Sequence, residues 1–266
     1  MDQAQLDAAL APLPLNKIVH FASTGSTNDV VAEWAAAGVQ APALAVAEEQ
    51  TRGRGRGGRN WFTPPGAALA FSVLLAAPER LQAGEIGLIS GLGALAVCRE
   101  LEQAYGLSPQ IKWPNDVLLS GQKCCGVLAE AHWQAQDLAA LILGIGINVA
   151  PSSVPPEAEL SFPATCVEAA LGRGLNRLDL LSGVVDQVLL GLPTVVSEEF
   201  VQVWEARLAY KGSPVRLERP SEAAIEGQLL GLAPGGALRL RLKDGREQSF
   251  QVGEIRLRRL GDSAAK

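Results

Sequence analysis

The chain predicts an α+β fold: a β-sheet with flanking helices over residues 1–210, then a small β-barrel over residues 211–266. Three observations carry this. Apolar runs such as 67–76 (AALAFSVLLA) are nearly continuous, as expected of central strands covered on both faces, and they alternate with helical stretches. Polar glycine-rich segments, above all 51–60 (TRGRGRGGRN), cannot be regular and form loops. After Gly212 the texture changes to closely spaced short runs with glycine-rich turns, the pattern of a small barrel.

The elements follow in order. Ser26-Thr27-Asn28-Asp29 opens a helix: Ser26 and Asp29 have capping-box spacing, Val30, Val31 and Trp34 form a stripe, and Gly38 closes it. Residues 43–49 read as a strand, 51–60 as a loop, 67–76 as a strand and 82–104 as a long helix. Strands are expected at Ile111–Trp113, Asp116–Leu119, Lys123–Ala131 and Leu138–Val149, with Ser120-Gly121-Gln122 as a turn. Residues 150–163 hold four prolines and connect to helices at about 165–171, 178–190 and 196–209. Five barrel strands are expected at Val215–Glu218, Ala224–Leu230, Ala237–Leu242, Gln248–Val252 and Glu254–Arg259. Pro234-Gly235-Gly236 and Asp244-Gly245 turn the chain between them.

Composition narrows the function. With 266 residues, 48% of them apolar and 19% charged, the chain can bury a sizeable core, which excludes wholesale disorder. No apolar run reaches the ~18 residues of a membrane span. The acidic stretch Met1–Leu10 lacks the apolar core of a signal peptide, so a cytoplasmic location is expected. A net charge of −5 argues against a nucleic-acid binder. The four cysteines, Cys98, Cys124, Cys125 and Cys166, contain no CxxC pair and read as reduced thiols. His20 and His132 have no ligand cluster around them, so no structural zinc site is expected.

Familiar catalytic motifs fail. Gly53-x-Gly55-x-x-Gly58 has dinucleotide-fingerprint spacing, but Pro64 and Pro65 follow where a helix must begin. No P-loop and no nucleophile elbow occur. Four other motifs remain. In Gly53-Arg54-Gly55-Arg56-Gly57-Gly58-Arg59, glycines permit close backbone approach and arginines suit phosphate or carboxylate. A solvated arginine–glycine loop is the competing reading, disfavoured by the strand and Gln50 ahead and by Trp61-Phe62 behind. Lys112-Trp113-Pro114-Asn115-Asp116 places an ammonium, an amide and a carboxylate at a strand end, in a chain with only six lysines. It is equally good turn chemistry. Lys123, followed by Cys124-Cys125-Gly126, begins the strand paired to it. Gly144-Ile145-Gly146-Ile147-Asn148 is an apolar strand whose glycines suggest that something packs against its backbone.

Taken together and in this order, these motifs resemble the biotin–protein ligases over about residues 23–260. The resemblance implies a class II synthetase-like mixed sheet, the biotin–lipoate ligase catalytic fold, with a C-terminal Src-homology-3-like barrel. It implies an ATP-dependent biotin–[acetyl-CoA-carboxylase] ligase with ATP, biotin and Mg²⁺. A biotin carboxyl carrier protein would be the acceptor. Larger members carry an N-terminal helix-turn-helix domain that this sequence does not show, so no DNA binding is expected; the lack of a long apolar run leaves no membrane partner expected either. Members include monomers and dimers paired through sheet edges, which leaves a homodimer open.

By the same resemblance, Ser26, Thr27, Asn28 and Gln50 would hold the biotin ring system. Gly53, Arg54, Gly55 and Arg56, with Arg59 nearby, would order over the valerate chain and the adenylate phosphate. Lys123, with Gly126 behind it, would contact carboxylate and phosphate, and Gly144 and Gly146 would border biotin. Lys112, Trp113 and Asn115 would serve ATP, Asp116 Mg²⁺, and Asn148 the adenine edge. Lys123, Arg56, Asp116 and Lys112 are the candidate catalytic set. Family members that stack a tryptophan on adenine offer Phe162 as its counterpart here.

Physical chemistry agrees with this reading. A carboxylate attacking an α-phosphate meets a like charge; at about 4 Å and an effective dielectric near 20 the repulsion is roughly 4 kcal/mol. The arginines and two lysines have the sign needed to offset it. Lipoate or octanoate ligation on the same fold is the near alternative, although the polar Ser-Thr-Asn turn with Gln50 suits a ureido ring better than a fatty chain. A nucleic-acid binder using the Arg/Gly loop is the distant one.

Overall fold

The computed structural model describes residues 1–78, 80–134, 137–218, 223–251 and 256–260. The chain runs through α1 (Gln3–Leu10), β1 (Lys17–Phe21), α2 (Thr27–Ala36), β2 (Ala43–Ala47), β3 (Ala68–Leu75) and α3 (Ile86–Gln103). Then come β4 (Gln110–Lys112), β5 (Asp116–Leu119), β6 (Gln122–Gln134) and β7 (Asp137–Asn148). Next are α4 (Val167–Leu171), α5 (Arg177–Gly191) and α6 (Glu198–Glu205). The last strands are β8 (Pro214–Glu218), β9 (Ile225–Leu232), β10 (Leu238–Leu242), β11 (Glu247–Phe250) and β12 (Arg256–Arg259).

The first seven strands form one mixed sheet in the order β1-β2-β3-β7-β6-β5-β4. β1 and β2 are parallel because α2 crosses over between them; the other pairings are antiparallel. Strand alternation divides the two faces. Leu69, Phe71, Val73 and Leu75 of β3 enter the main core with α3 and α5, while Leu74 joins Val31 and Ile142 beneath α2. β3 is buried along its whole length, as its apolar run predicts. α3 lies close to the sheet because Gly93 faces it; a Cβ there would sit 2.8 Å from Val127.

Several elements differ from expectation. α1 and β1 carry weak patterns, and β1 is held partly by a side chain: Gln3 accepts from His20 N (2.8 Å) and donates to Ile18 O (3.2 Å). The capping box at Ser26 does not form, since the Ser26 side chain makes no cap bond and Asp29 pairs with Arg54 (2.8 Å). The helix expected over 196–209 stops at Glu205. Beyond it the backbone pairs with the β4 edge, Ile111 N donating to Arg207 O and Ala209 N to Ile111 O.

The C-terminal strands make one antiparallel sheet, ordered β11-β10-β9-β8-β12. Val215, Leu217, Leu229, Leu238, Leu240, Phe250 and Leu257 form its buried face. Of the expected strands, Val252 and Glu254 lie outside the described residues. The sheet is tied to the larger one by Trp113, whose indole N–H donates to Gly236 O (3.0 Å). Gly236 packs so closely on buried Trp204 that a Cβ would lie 2.6 Å from its ring.

Candidate functional site

The site begins with register. Ala70, Gly146 and Gly126 stand opposite one another across β3, β7 and β6, and Ser72, Gly144 and Leu128 form the next row. Paired residues share a face, so these rows make a floor of small residues everywhere but at Leu128. Two side chains lie on it. Trp61 covers Gly146, where a Cβ would collide with its indole, and Gly126 lies 3.1 Å from it by the same measure. Asn28 covers Gly144 so closely that a Cβ would overlap its amide oxygen. This is the close packing that the glycines of β7 imply. Above the floor opens a cleft of about 1230 Å³.

One end of the cleft is lined by neutral polar side chains, with the Arg54 ion pairs to Asp29 and Glu130 at its edge. Gln50 Oε1 accepts from Thr27 N (2.9 Å) and Thr27 Oγ1 (3.1 Å), and its Nε2 donates to Thr63 Oγ1 (3.3 Å). Buried Ser72 Oγ bonds Thr27 Oγ1 (2.7 Å) and Asn28 Oδ1 (2.5 Å). Ser26, Thr27 and Asn28 are each under 5% exposed, so their geometry is set by packing rather than by solvent.

The other end is a charge cluster. Asp116 pairs with Lys123 Nζ (2.6 Å) and Lys112 Nζ (3.6 Å). Burial alone pushes the Asp116 carboxyl up, but the two ammonium groups outweigh it and hold the carboxyl below its usual range. Burial drives Lys112 down to about 8, against the pull of Asp116 and helped by Arg258, Lys123 and Arg59. Arg56 is also lowered, by burial above all. Its Nη1 donates to Asn115 Oδ1 (3.2 Å), and Asn115 Nδ2 donates to Val127 O (2.6 Å). Lys112 sits 4.1 Å above the Phe162 ring, and Arg258 of β12 lies 5.6 Å from the same ring.

Every candidate named from sequence borders this one cleft. Ser26, Thr27, Asn28, Gln50, Gly53, Gly144 and Gly146 lie along it, as do Arg54, Gly55, Arg56, Arg59, Lys112, Trp113, Asn115, Asp116, Lys123, Gly126, Asn148 and Phe162. Three of them also bond groups of the chain outside the charge cluster. Arg54 is engaged by Asp29 and Glu130 rather than aimed at the charged end. Trp113 spends its N–H on Gly236, and Asn148 donates to Thr165 O (3.0 Å). Thr63, Ser72, Glu130 and Arg258 escaped the sequence reading, and Trp61 entered it only as a flank of the loop. For Trp61 the signal was present: a large aromatic just after a glycine-rich loop, with glycines on two later strands to receive it.

The expectation that Asp116 holds Mg²⁺ does not fit the donor set. Both of its oxygens face ammonium groups, Lys123 Nζ and Lys112 Nζ. Mg²⁺ bound by protein uses one or two carboxylates together with substrate phosphates, and the carboxylate here is already neutralised.

A profile of the biotin/lipoate A/B protein ligase family matches residues 20–148. The biotin–[acetyl-CoA-carboxylase] ligase of Paracoccus denitrificans is 34% identical over 236 residues, 85% of this chain and 95% of that protein. The bifunctional ligase/repressor BirA of Bacillus subtilis is 30% identical over 244 residues, 88% of this chain and 72% of the relative. This chain spans 64% of the length of the BirA of Bacillus spizizenii. The biotin protein ligase of Aquifex aeolicus, solved with biotin and ATP, superposes with a TM-score of 0.77 at 31% identity, covering 92% of this chain and all of that one. The chain belongs to the biotin/lipoate A/B protein ligase family.

Proposed function

We infer that this chain is an ATP-dependent biotin–protein ligase. It joins biotin and ATP to form biotinyl-5′-AMP and pyrophosphate, then passes the biotinyl group to a lysine of a carboxylase subunit. A biotin carboxyl carrier domain is the acceptor we propose, and the cytoplasm the compartment. The observation that carries the reading is the two-ended cleft: a neutral hydrogen-bonding end and a cationic end share one glycine-lined floor. A vitamin with a ureido ring and a carboxylate has the same two ends.

The residues then take roles by chemistry. Gln50, Thr27 and Asn28 offer both donors and acceptors to a ureido group, which needs both. Trp61 covers the apolar middle, and its indole N–H has no acceptor among the described residues. Lys123, Lys112 and Arg56 surround the region where a carboxylate must approach a phosphate. Their charge offsets the repulsion of the two anions without an enzyme nucleophile. The biotin carboxylate oxygen attacks the α-phosphorus and pyrophosphate leaves. In the second half the acceptor amine attacks the acyl carbon and AMP leaves. Gly53, Arg54, Gly55, Arg56 and Arg59 border the cleft, and we give this segment the task of keeping water from the mixed anhydride. We also propose residues 1–210 as the part that binds biotin and ATP, with 211–266 contributing Arg258 to the nucleotide end.

ATP–pyrophosphate exchange tests the reading. Exchange should depend on biotin and be absent with lipoate or octanoate. Exchange supported by lipoate or octanoate and not by biotin would overturn the assignment.

A further inference from the structure

Glu130 stands on β6, on the face that carries Gly126 and Leu128, and the proposed reaction gives it no task. Its carboxylate accepts three hydrogen bonds. Arg54 donates two, Nη1 to Oε1 (2.9 Å) and Nη2 to Oε2 (2.8 Å), and Asn28 Nδ2 donates the third to Oε2 (2.6 Å). The donors come from different parts of the fold: Arg54 from the glycine-rich loop and Asn28 from the first turn of α2. A second carboxylate, Asp29, pairs with Arg54 from that same turn (2.8 Å). Arg54 is therefore fastened twice to the turn that forms the neutral end of the cleft.

Asn28 is held from its other side as well. Its Oδ1 bonds Ser72 Oγ (2.5 Å) and presses on the bare backbone of Gly144. Glu130 thus determines which way the Asn28 amide faces: Nδ2 towards the carboxylate, Oδ1 towards the hydroxyl. Two carboxylates against one guanidinium leave Arg54 no charge to offer an arriving anion. Arg56, two residues on, instead faces Asn115 and feels Asp116. The two loop arginines divide, Arg54 anchoring the loop and Arg56 reaching the charged end of the cleft beside Asn115 and Asp116.

We propose that Glu130 is a positioning residue that locks the arginine loop to the ring-recognising turn through Arg54 and Asn28, making ring binding and loop closure one event. This rests on the ligase reading above. A carboxylate is needed rather than an amide, because all three bonds into it come from donors; glutamine would turn an NH₂ towards Arg54 or Asn28.

The test compares wild type, E130Q, R54Q and the double variant by biotin-dependent pyrophosphate exchange and by the lifetime of enzyme-bound acyl-adenylate. E130Q should raise KM for biotin and shorten that lifetime by about tenfold each, the scale of a lost charge-assisted hydrogen bond. KM for ATP should move by less than about twofold. Adding R54Q to E130Q should change the result by less than about twofold, because one linkage is already broken. Multiplying effects, or equal rises in both KM values, would overturn the proposal. If E130Q does not fold, D29N cuts the other anchor and should raise biotin KM by about threefold; an unchanged value overturns the proposal too. A wild type without any biotin-dependent exchange would instead sink the ligase reading, which keeps the two failures distinct.

Discussion

Lys112 has the charge most at odds with its surroundings. It is 7% exposed, and burial lowers it to about 8 despite the neighbouring Asp116. In the free protein its positive charge therefore fades as pH rises through about 8. If that charge receives the nucleotide phosphates, kcat/KM for ATP should decline above pH 8. Lys112→Arg, whose guanidinium stays charged, should flatten that decline at some cost in rate. A pH–rate profile for both proteins checks this. Stability should move the other way. Between about pH 8 and the ordinary lysine value of 10.5 the unfolded chain holds more protons than the folded one, so folding is favoured as pH rises. An alkaline loss of activity without a loss of melting temperature separates the two effects. At this scale the sequence was readable where residue types are unusual: alternating arginines and glycines, or a scarce lysine before Pro-Asn-Asp. Ser72, Thr63 and Glu130 are ordinary strand and loop residues, and nothing along the chain marks them.

The floor of the cleft is a property of elements. The glycines of β7 could be read as places of close approach, but what approaches depends on the pairing of β7 with β3 and β6. Gly146→Ala places a methyl group inside the Trp61 indole position. The ring must shift, and the overpacking should cost about 1–3 kcal/mol. We expect biotin affinity by calorimetry to fall at least about tenfold, with a change in tryptophan fluorescence, while KM for ATP changes less. Unaltered affinity and fluorescence would contradict Trp61 as the cover. The same dependence on partners explains the boundaries that differ from expectation. Residues 206–209 have helical composition, yet their backbone bonds the β4 edge. Asp29 has capping spacing, yet a guanidinium competes for it successfully.

Across the whole molecule, Glu48 joins regions far apart in sequence. It binds the Met1 ammonium (2.9 Å), Arg177 at the start of α5 (3.0 and 3.1 Å) and Gly66 N (3.0 Å). Burial raises its carboxyl, but the Arg177 and N-terminal bonds prevail and bring it from 4.5 to about 2. A carboxyl lowered on folding stabilises fully above its unfolded value and loses that contribution as pH falls through the folded one. With solvent screening allowed for, Glu48→Gln should cost about 2 kcal/mol at neutral pH. The gap from wild type should close between about pH 4.5 and 2. Urea unfolding across that range measures it; a gap independent of pH would show that Glu48 acts by packing alone.

Composition and spacing along the chain were enough for the α+β class, the central strand, the irregular arginine–glycine loop and the change of texture after Gly212. Each depends on neighbouring residues, and backbone preference and hydrophobic periodicity act over that range. Charge and hydrogen bonding act through space, so their pairings had to wait for the fold. Strand register set Gly146 beneath Trp61 and Gly144 beneath Asn28. Sheet order brought Lys112 and Lys123 onto one carboxylate and gave Arg54 to Glu130 and Asp29.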